Sequence, residues 1–118
     1  MKQIVVIDDY PGILEVVQII LEEKGYEVFP AKNAEEALFL LKLHKPNLIL
    51  MDYRMAGTNG EELISQIKGK KQLCTIPIIV MSANHTIRER VLQKGAIDFI
   101  EKPFDIYDLV SVVEKYIQ

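Results

Sequence analysis

Five short apolar runs punctuate the chain, and between them the spacing of apolar positions turns helical. The first run, Ile4–Ile7, ends at Asp8-Asp9, and Tyr10-Pro11-Gly12 follows with Pro11 suited to a first helical turn. From Ile13 to Lys24 the residues Ile13, Val16, Val17, Ile20 and Leu21 share one helical face, and Gly25 supplies a C-terminal stop. Tyr26–Phe29 alternates and predicts a strand near a sheet edge. Asn33 predicts a helix cap, with Glu35 and Glu36 in the first turn and Ala37, Leu38, Leu40 and Leu41 behind them. Lys45-Pro46-Asn47 ends that helix. Leu48–Met51 is apolar throughout, as in a strand buried on both faces, and it stops at Asp52. Ala56–Gly60 predicts a loop, and the stretch from about Gly60 to Lys68 a helix. Ile76–Met81 predicts a strand opened by Pro77 and closed by Ser82-Ala83-Asn84. Thr86–Lys94 predicts a short polar helix stopped by Gly95, and Ile97–Ile100 the last strand. Asp105 caps a final helix that reaches Tyr116.

Strand then helix, five times over, with nearly continuous apolar strands, argues a parallel sheet covered by helices on both faces. No linker or repeat interrupts the pattern, so the expectation is one α/β domain over residues 1–118. That length buries a working core without disulfides, and the single Cys74 forms none internally and suits a reducing cytosol. Its simplest reading is a half-buried thiol before a strand. The apolar fraction of 49% and charged fraction of 26% are ordinary for a globular domain. No run approaches the roughly 20 residues of a membrane span, and Met1-Lys2-Gln3 leads into a strand without a signal peptide, so a cytoplasmic protein with no membrane partner is expected. The net charge is −3, and the one basic cluster, Lys68, Lys70 and Lys71, reads as a solvated helix end. Direct nucleic-acid binding is not expected from that balance.

The chemistry lies at the strand ends. In an open parallel sheet the carboxyl edge is where ligands bind. The first strand delivers Asp8 and Asp9 to that edge, the third Asp52, the fourth Ser82 and the fifth Lys102. A lone Asp at a strand end is ordinarily a turn former or a cap. Three carboxylates, a hydroxyl and an amine on one rim are not a structural pattern. Clustered carboxylates repel and raise at least one pKa unless a cation joins them, and an oxygen-rich set suits a hard divalent ion, Mg²⁺ with several retained waters. Such a rim supports attack by a carboxylate on phosphorus to give an acyl phosphate. Mg²⁺ would neutralise the phosphoryl oxygens during in-line transfer, Lys102 would balance charge on another oxygen, and the Ser82 hydroxyl would donate to a third. Ser82 is neutral and rotates toward a phosphoryl group only when one is present, which makes it a switch.

Ile7-Asp8-Asp9, Asp52-Tyr53-Arg54-Met55, Met81-Ser82-Ala83 and Lys102-Pro103-Phe104 together make the chain resemble, over its whole length, a receiver domain of a two-component response regulator. The resemblance implies a five-stranded parallel sheet in the order 2-1-3-4-5 and a doubly wound, flavodoxin-like arrangement. It also implies phosphorylation at Asp52 by a histidine kinase or histidine phosphotransfer protein, followed by engagement of a downstream protein target. The metal would be held by Asp9 and Asp52 directly, by Asp8 largely through water and by the Arg54 backbone carbonyl, with Mn²⁺ able to substitute for Mg²⁺. Phe99 falls on the second switch position, where a ring turns inward as Ser82 moves; on residue pattern alone it is an aromatic core residue of an alternating strand. Arg54 and Asn84 occupy positions that tune hydrolysis. Beyond its own phosphorylation and slow dephosphorylation, such a chain is not expected to be an enzyme.

One departure stands out: the family commonly has a proline where this chain has Ala56, while Asn59-Gly60 keeps the end of that loop. The change loosens the loop by well under about 1 kcal/mol, acting through the unfolded chain. On the first helix, Ile13, Val16, Val17, Ile20, Leu21 and Leu14 cover an arc of roughly 160°, more than a core-facing stripe requires, and Ile19 lies outside it. The surplus, Ile13 and Leu14 especially, together with Pro103 and Phe104, is the expected docking surface for the phosphodonor. His44 and His85 lack neighbours at metal spacing and are expected on the surface. Two rival functions are weaker. An aspartyl-phosphate hydrolase needs an acidic residue two positions after the nucleophile, where Arg54 stands. A phosphorylation-independent binding module with this fold predicts loss of Asp9, Asp52 or Lys102, and all three are present.

Overall fold

The computed structural model describes residues 1–117 and contains the expected alternation. Its elements are β1 (Gln3–Ile7), α1 (Pro11–Glu23), β2 (Glu27–Ala31), α2 (Ala34–His44), β3 (Leu48–Asp52), β4 (Arg54–Met55), β5 (Thr58–Asn59), α3 (Gly60–Lys68), β6 (Ile78–Ser82), α4 (Arg88–Lys94), β7 (Asp98–Glu101) and α5 (Ile106–Tyr116). The long strands form one parallel sheet in the order β2-β1-β3-β6-β7, which is 2-1-3-4-5 once the short β4–β5 hairpin is set aside. This is the flavodoxin-like doubly wound fold.

The sheet divides the core in two. Val5, Ile7, Ile49, Met51, Ile78, Val80 and Phe99 point to one face, where Ala37, Leu41, Leu63, Ile64, Ile67 and Val91 of α2, α3 and α4 cover them. Ile4, Val6, Leu48, Leu50, Ile79, Met81 and Ile100 point to the other, under Val17, Leu21, Leu109 and Val113 of α1 and α5. Two buried faces explain why β1, β3 and β6 read as unbroken apolar runs.

The caps follow the sequence. Asn33 accepts a hydrogen bond from the Glu36 amide at 2.8 Å while the Glu36 carboxylate accepts from the Lys32 amide at 3.0 Å. Asn59 and Asp105 do the same for α3 and α5, at 3.0 and 2.8 Å. Strand bounds move by one or two residues from expectation. β2 runs on through the exposed Pro30, tolerable because β2 is an edge strand, and β6 starts after Pro77 instead of at Ile76. The segment read as starting a helix at Thr86 opens as a single 3₁₀ turn, His85–Ile87, before α4. α2 ends on Lys45 in the left-handed region (φ 46°), a position that glycine or asparagine usually fills. His44 is a correction: it is half-buried, stacked on Phe29 with ring centroids 3.7 Å apart, whereas His85 is exposed.

Candidate functional site

Strand register builds the rim. Ile7 pairs with Met51, so Asp8 follows one strand end where Asp52 closes the next; Asp52 pairs with Met81 and Ser82 with Glu101, so Ser82 and Lys102 continue the line. Backbone hydrogen bonds fix the exits of the chain from the sheet: the Asp8 amide to the Ala31 carbonyl, the Tyr53 amide to Met81, and the Lys102 amide to Ser82, all at 2.9–3.0 Å. Asp8, Asp52 and Ser82 are the buried polar residues among those described, while Asp9 is exposed.

Each group is held. The Lys102 ammonium donates to Asp52 Oδ1 at 2.7 Å and to Asp8 Oδ2 at 3.3 Å. Asp8 Oδ1 accepts from the Tyr10 amide at 3.0 Å, and Asp52 Oδ2 from the Arg54 amide at 3.2 Å. Ser82 Oγ accepts from the Asn84 amide at 3.0 Å, which leaves its own proton free to donate elsewhere. Asn84 in turn caps the 3₁₀ turn, its Oδ1 accepting from the Thr86 amide and hydroxyl. Asp52, Arg54, Ser82, Ala83, Asn84 and Lys102 line an open cleft of about 410 Å³.

Burial is the main reason the Asp8 carboxyl lies above its ordinary pKa; the Tyr10 amide opposes that shift, the neighbouring Asp52 adds to it, and Lys102 opposes it again. The sequence predicted a raised carboxyl from repulsion. The direction agrees, but desolvation leads and repulsion is secondary. Burial also works against the Lys102 ammonium, yet its hydrogen bond and attraction to Asp52, followed by those to Asp8, hold it above the usual lysine value. The lysine therefore stays charged beside the two carboxylates.

A divalent ion still has a fitting donor set. One oxygen each of Asp8, Asp9 and Asp52 lie within 4.8 Å of one another, a spacing that a hard cation and its waters can span. Asp8 and Asp9 follow β1 and Asp52 closes β3, neighbouring strands that the sheet sets side by side.

The remaining expected residues separate. Ile13, Pro103 and Phe104 come together with Val16, Val17, Ala83 and Lys102 around an apolar groove of about 410 Å³ that borders the cleft. Leu14 does not line it; half-buried, it packs on the α1–α5 core. Val16, 55% exposed, contributes more open surface than Ile13 or Leu14 does. Phe99 is buried in the α2–α3–α4 core and borders a shallow surface groove with Glu101 and Asp108. Arg54 and Asn84 flank the cleft as their numbering implied.

Sequence reasoning missed one network. The Tyr53 hydroxyl donates to Glu61 Oε1 at 2.9 Å and accepts from Arg90 Nη2 at 2.9 Å, while Arg90 Nε donates to Glu61 at 2.7 Å. It ties the residue after Asp52 to α3 and α4. Gly60 permits that approach, because a Cβ there would lie 3.0 Å from the Tyr53 ring and 3.3 Å from its Cα. The Asn59-Gly60 pair was the available signal. The Lys102–Pro103 peptide is cis, which nothing in one sequence marks.

Comparison with known proteins agrees with this geometry. The chain is 37% identical over 112 residues to the phosphate regulon transcriptional regulatory protein PhoB of Pseudomonas aeruginosa, covering 93% of this chain and 49% of that protein. It is 35% identical over 119 residues to the nitrogen assimilation regulatory protein NtrX of Azorhizobium caulinodans, covering 98% of this chain and 26% of that one. The chain thus spans from about a quarter to about half the length of these relatives. Among solved structures, the response regulator TrrA of Thermotoga maritima, in complex with Mg²⁺–BeF, superposes with a TM-score of 0.89 at 33% identity, covering 99% of this chain and all of that one. The family model for the response regulator receiver domain matches residues 4–114. Receiver domains are generally non-enzymatic signalling modules that partner with histidine kinases in two-component systems. The receiver domain of the sensor histidine kinase PA1611 of Pseudomonas aeruginosa, 26% identical with a TM-score of 0.91 and covering 98% of this chain and 96% of that one, was solved with a magnesium ion coordinated in its active site cleft. On the rim, the sheet order and these matches together, the chain belongs to the response regulator receiver domain family.

Proposed function

We propose that this chain accepts a phosphoryl group on Asp52 from a phosphohistidine of a histidine kinase or phosphotransfer protein and thereby switches its surface for a downstream protein target. The observation that carries the reading is the Lys102 ammonium held 2.7 Å from Asp52 and 3.3 Å from Asp8, beside an acidic trio whose donor atoms lie within 4.8 Å. A structural ion pair would not require the third carboxylate, and a cap or turn would not require the lysine.

An Asp52 oxygen attacks phosphorus in line as the P–N bond to the donor imidazole breaks, and the imidazole leaves as its neutral form after taking a proton. Asp8, Asp9, Asp52 and the Arg54 backbone carbonyl would hold Mg²⁺, or Mn²⁺ in its place, and the ion supplies charge neutralisation for the phosphoryl oxygens. Lys102 shifts its contact to a phosphoryl oxygen, and Ser82 turns its free proton to another. The Phe99 ring, buried in the α2–α3–α4 core, is the second switch. Arg54 and Asn84 line the cleft and set how water reaches the acyl phosphate. The groove of Ile13, Pro103 and Phe104 receives the donor. A cytoplasmic location follows from this reading, and direct nucleic-acid contact is not part of it.

The test is intact-mass analysis after incubation with acetyl phosphate, with and without Mg²⁺, alongside Asp52→Asn. The expected result is one phosphoryl adduct that needs Mg²⁺ and disappears in the variant. No adduct under any condition would overturn the reading in favour of a phosphorylation-independent binding module.

A further inference from the structure

The geometry points to a second copy of this chain as the occupant of the outer face of α2, docked antiparallel across a twofold axis near Phe39. α2 covers β1 and the edge strand β2, at the side of the sheet remote from β7. Its outward stripe is Glu35, Phe39, Lys42 and Leu43, and two of these are large apolar side chains left in solvent, Phe39 at 65% and Leu43 at 62% exposure. Beside the stripe lies a groove of about 470 Å³ walled by Pro30, Glu35, Glu36, Phe39 and Leu40. Knob and hole therefore sit next to each other on one element, the arrangement that a twofold interface can use twice.

Charge selects the occupant. Glu35 and Glu36 occupy the first turn of α2, Lys42 and His44 the last, and Lys45 follows. A twofold axis that crosses α2 at the level between Leu38 and Phe39 reverses the helix, so Glu35 of each copy faces Lys42 of the other, and the two macrodipoles run antiparallel. Phe39 of each copy then enters the groove between Pro30 and Leu40 of the other. A parallel arrangement or an acidic partner would set Glu35 and Glu36 against like charge. Two large exposed apolar side chains per copy are few beside what a standard interface of ~1,200 Å² or more carries, so the dimer is weak and dissociates on dilution. It uses none of the rim residues and does not depend on the phosphorylation reading.

Sedimentation velocity on the full chain across micromolar concentrations tests this. The expected mass rises from 13.5 kDa toward twice that value as concentration increases. Phe39→Ser, a change at an exposed position that leaves the far-ultraviolet circular dichroism unaltered, abolishes the rise. Glu35→Lys and Lys42→Glu each weaken the dimer at least tenfold, and the two together restore it, which a fold defect would not do. A single-chain mass at every concentration overturns the proposal and opens the groove to an unrelated partner. A dimer indifferent to Phe39→Ser overturns it too, as does a double variant no better than the singles.

Discussion

The two ends of the sheet hold their charged groups in opposite ways. At the amino end, Lys2, Lys24, Lys45 and Lys71 follow helix ends or precede strands and stand in solvent. At the carboxyl end, Asp8 is 1% and Asp52 8% exposed. Parallel winding accounts for both signs, because every helix C-terminus points to the first end and every N-terminus to the second, and the macrodipoles favour cations and anions accordingly. It does not account for burial. Solvated lysines at helix ends need no partner, whereas two desolvated carboxylates hold together only because Lys102 stands between them. One end is arranged for stability and the other against it.

Removing the lysine should break that contrast most severely. Lys102→Met leaves Asp8 and Asp52 facing each other without an ammonium, and a loss of about 2 kcal/mol is expected in chelator at neutral pH. The figure falls below that of a fully buried pair because the Lys102 side chain is 22% exposed. Urea denaturation measures it. Millimolar Mg²⁺ should raise the melting temperature of the wild type and raise that of the variant more, since a ligand selective for the folded state stabilises by about RT ln(1 + [L]/Kd). A variant as stable as the wild type, or indifferent to Mg²⁺, would show that the carboxylates do not oppose folding.

Asp8→Asn sharpens the comparison through pH. The Asp8 carboxyl is raised in the folded protein, so its contribution to stability is fully present below its unfolded value and is lost as pH rises through the folded one. In chelator the variant should therefore match the wild type in acid and become the more stable of the two as pH climbs past the carboxylate range toward neutrality. Denaturant midpoints at a series of pH values decide this, and a gain that shrinks as pH rises would reverse the sign of the argument.

The amino end should respond least. Lys45→Gly relieves a left-handed backbone position (φ 46°) and removes one solvated charge; a gain of about 0.5 kcal/mol is expected from thermal melts, with no effect on phosphorylation. A loss there would show that the lysine head group matters more than the backbone.

What could be read from the sequence differs between these ends for the same physical reason. The strands and the rim were legible because burial on both faces forces continuous apolar runs, and the residue that ends each run stands at the carboxyl edge. Asp8, Asp52, Ser82 and Lys102 were found by that logic alone. Tyr53, Glu61 and Arg90 were not, because their network joins a strand exit to two helices at separations of 8 and 29 residues, and no period links them. The β4–β5 hairpin is two residues a side and sits where a loop was expected. Leu14 lies half-buried on the core instead of in the groove, because a helical arc of apolar residues does not say where cover ends and solvent begins.

Lys102 and Ala83 belong to two concavities at once, the polar cleft and the apolar groove. They form a party wall, and a party wall makes neighbours answerable to each other. On the proposed reading, any protein seated in the groove leans on the lysine that holds the modified aspartate, and so is sensitive to the modification. By thermodynamic reciprocity, the factor by which the modification changes how tightly that protein is held is the factor by which the protein shifts the balance between modified and unmodified aspartate. Message and messenger would then share one balance, tipped by whoever is in residence next door.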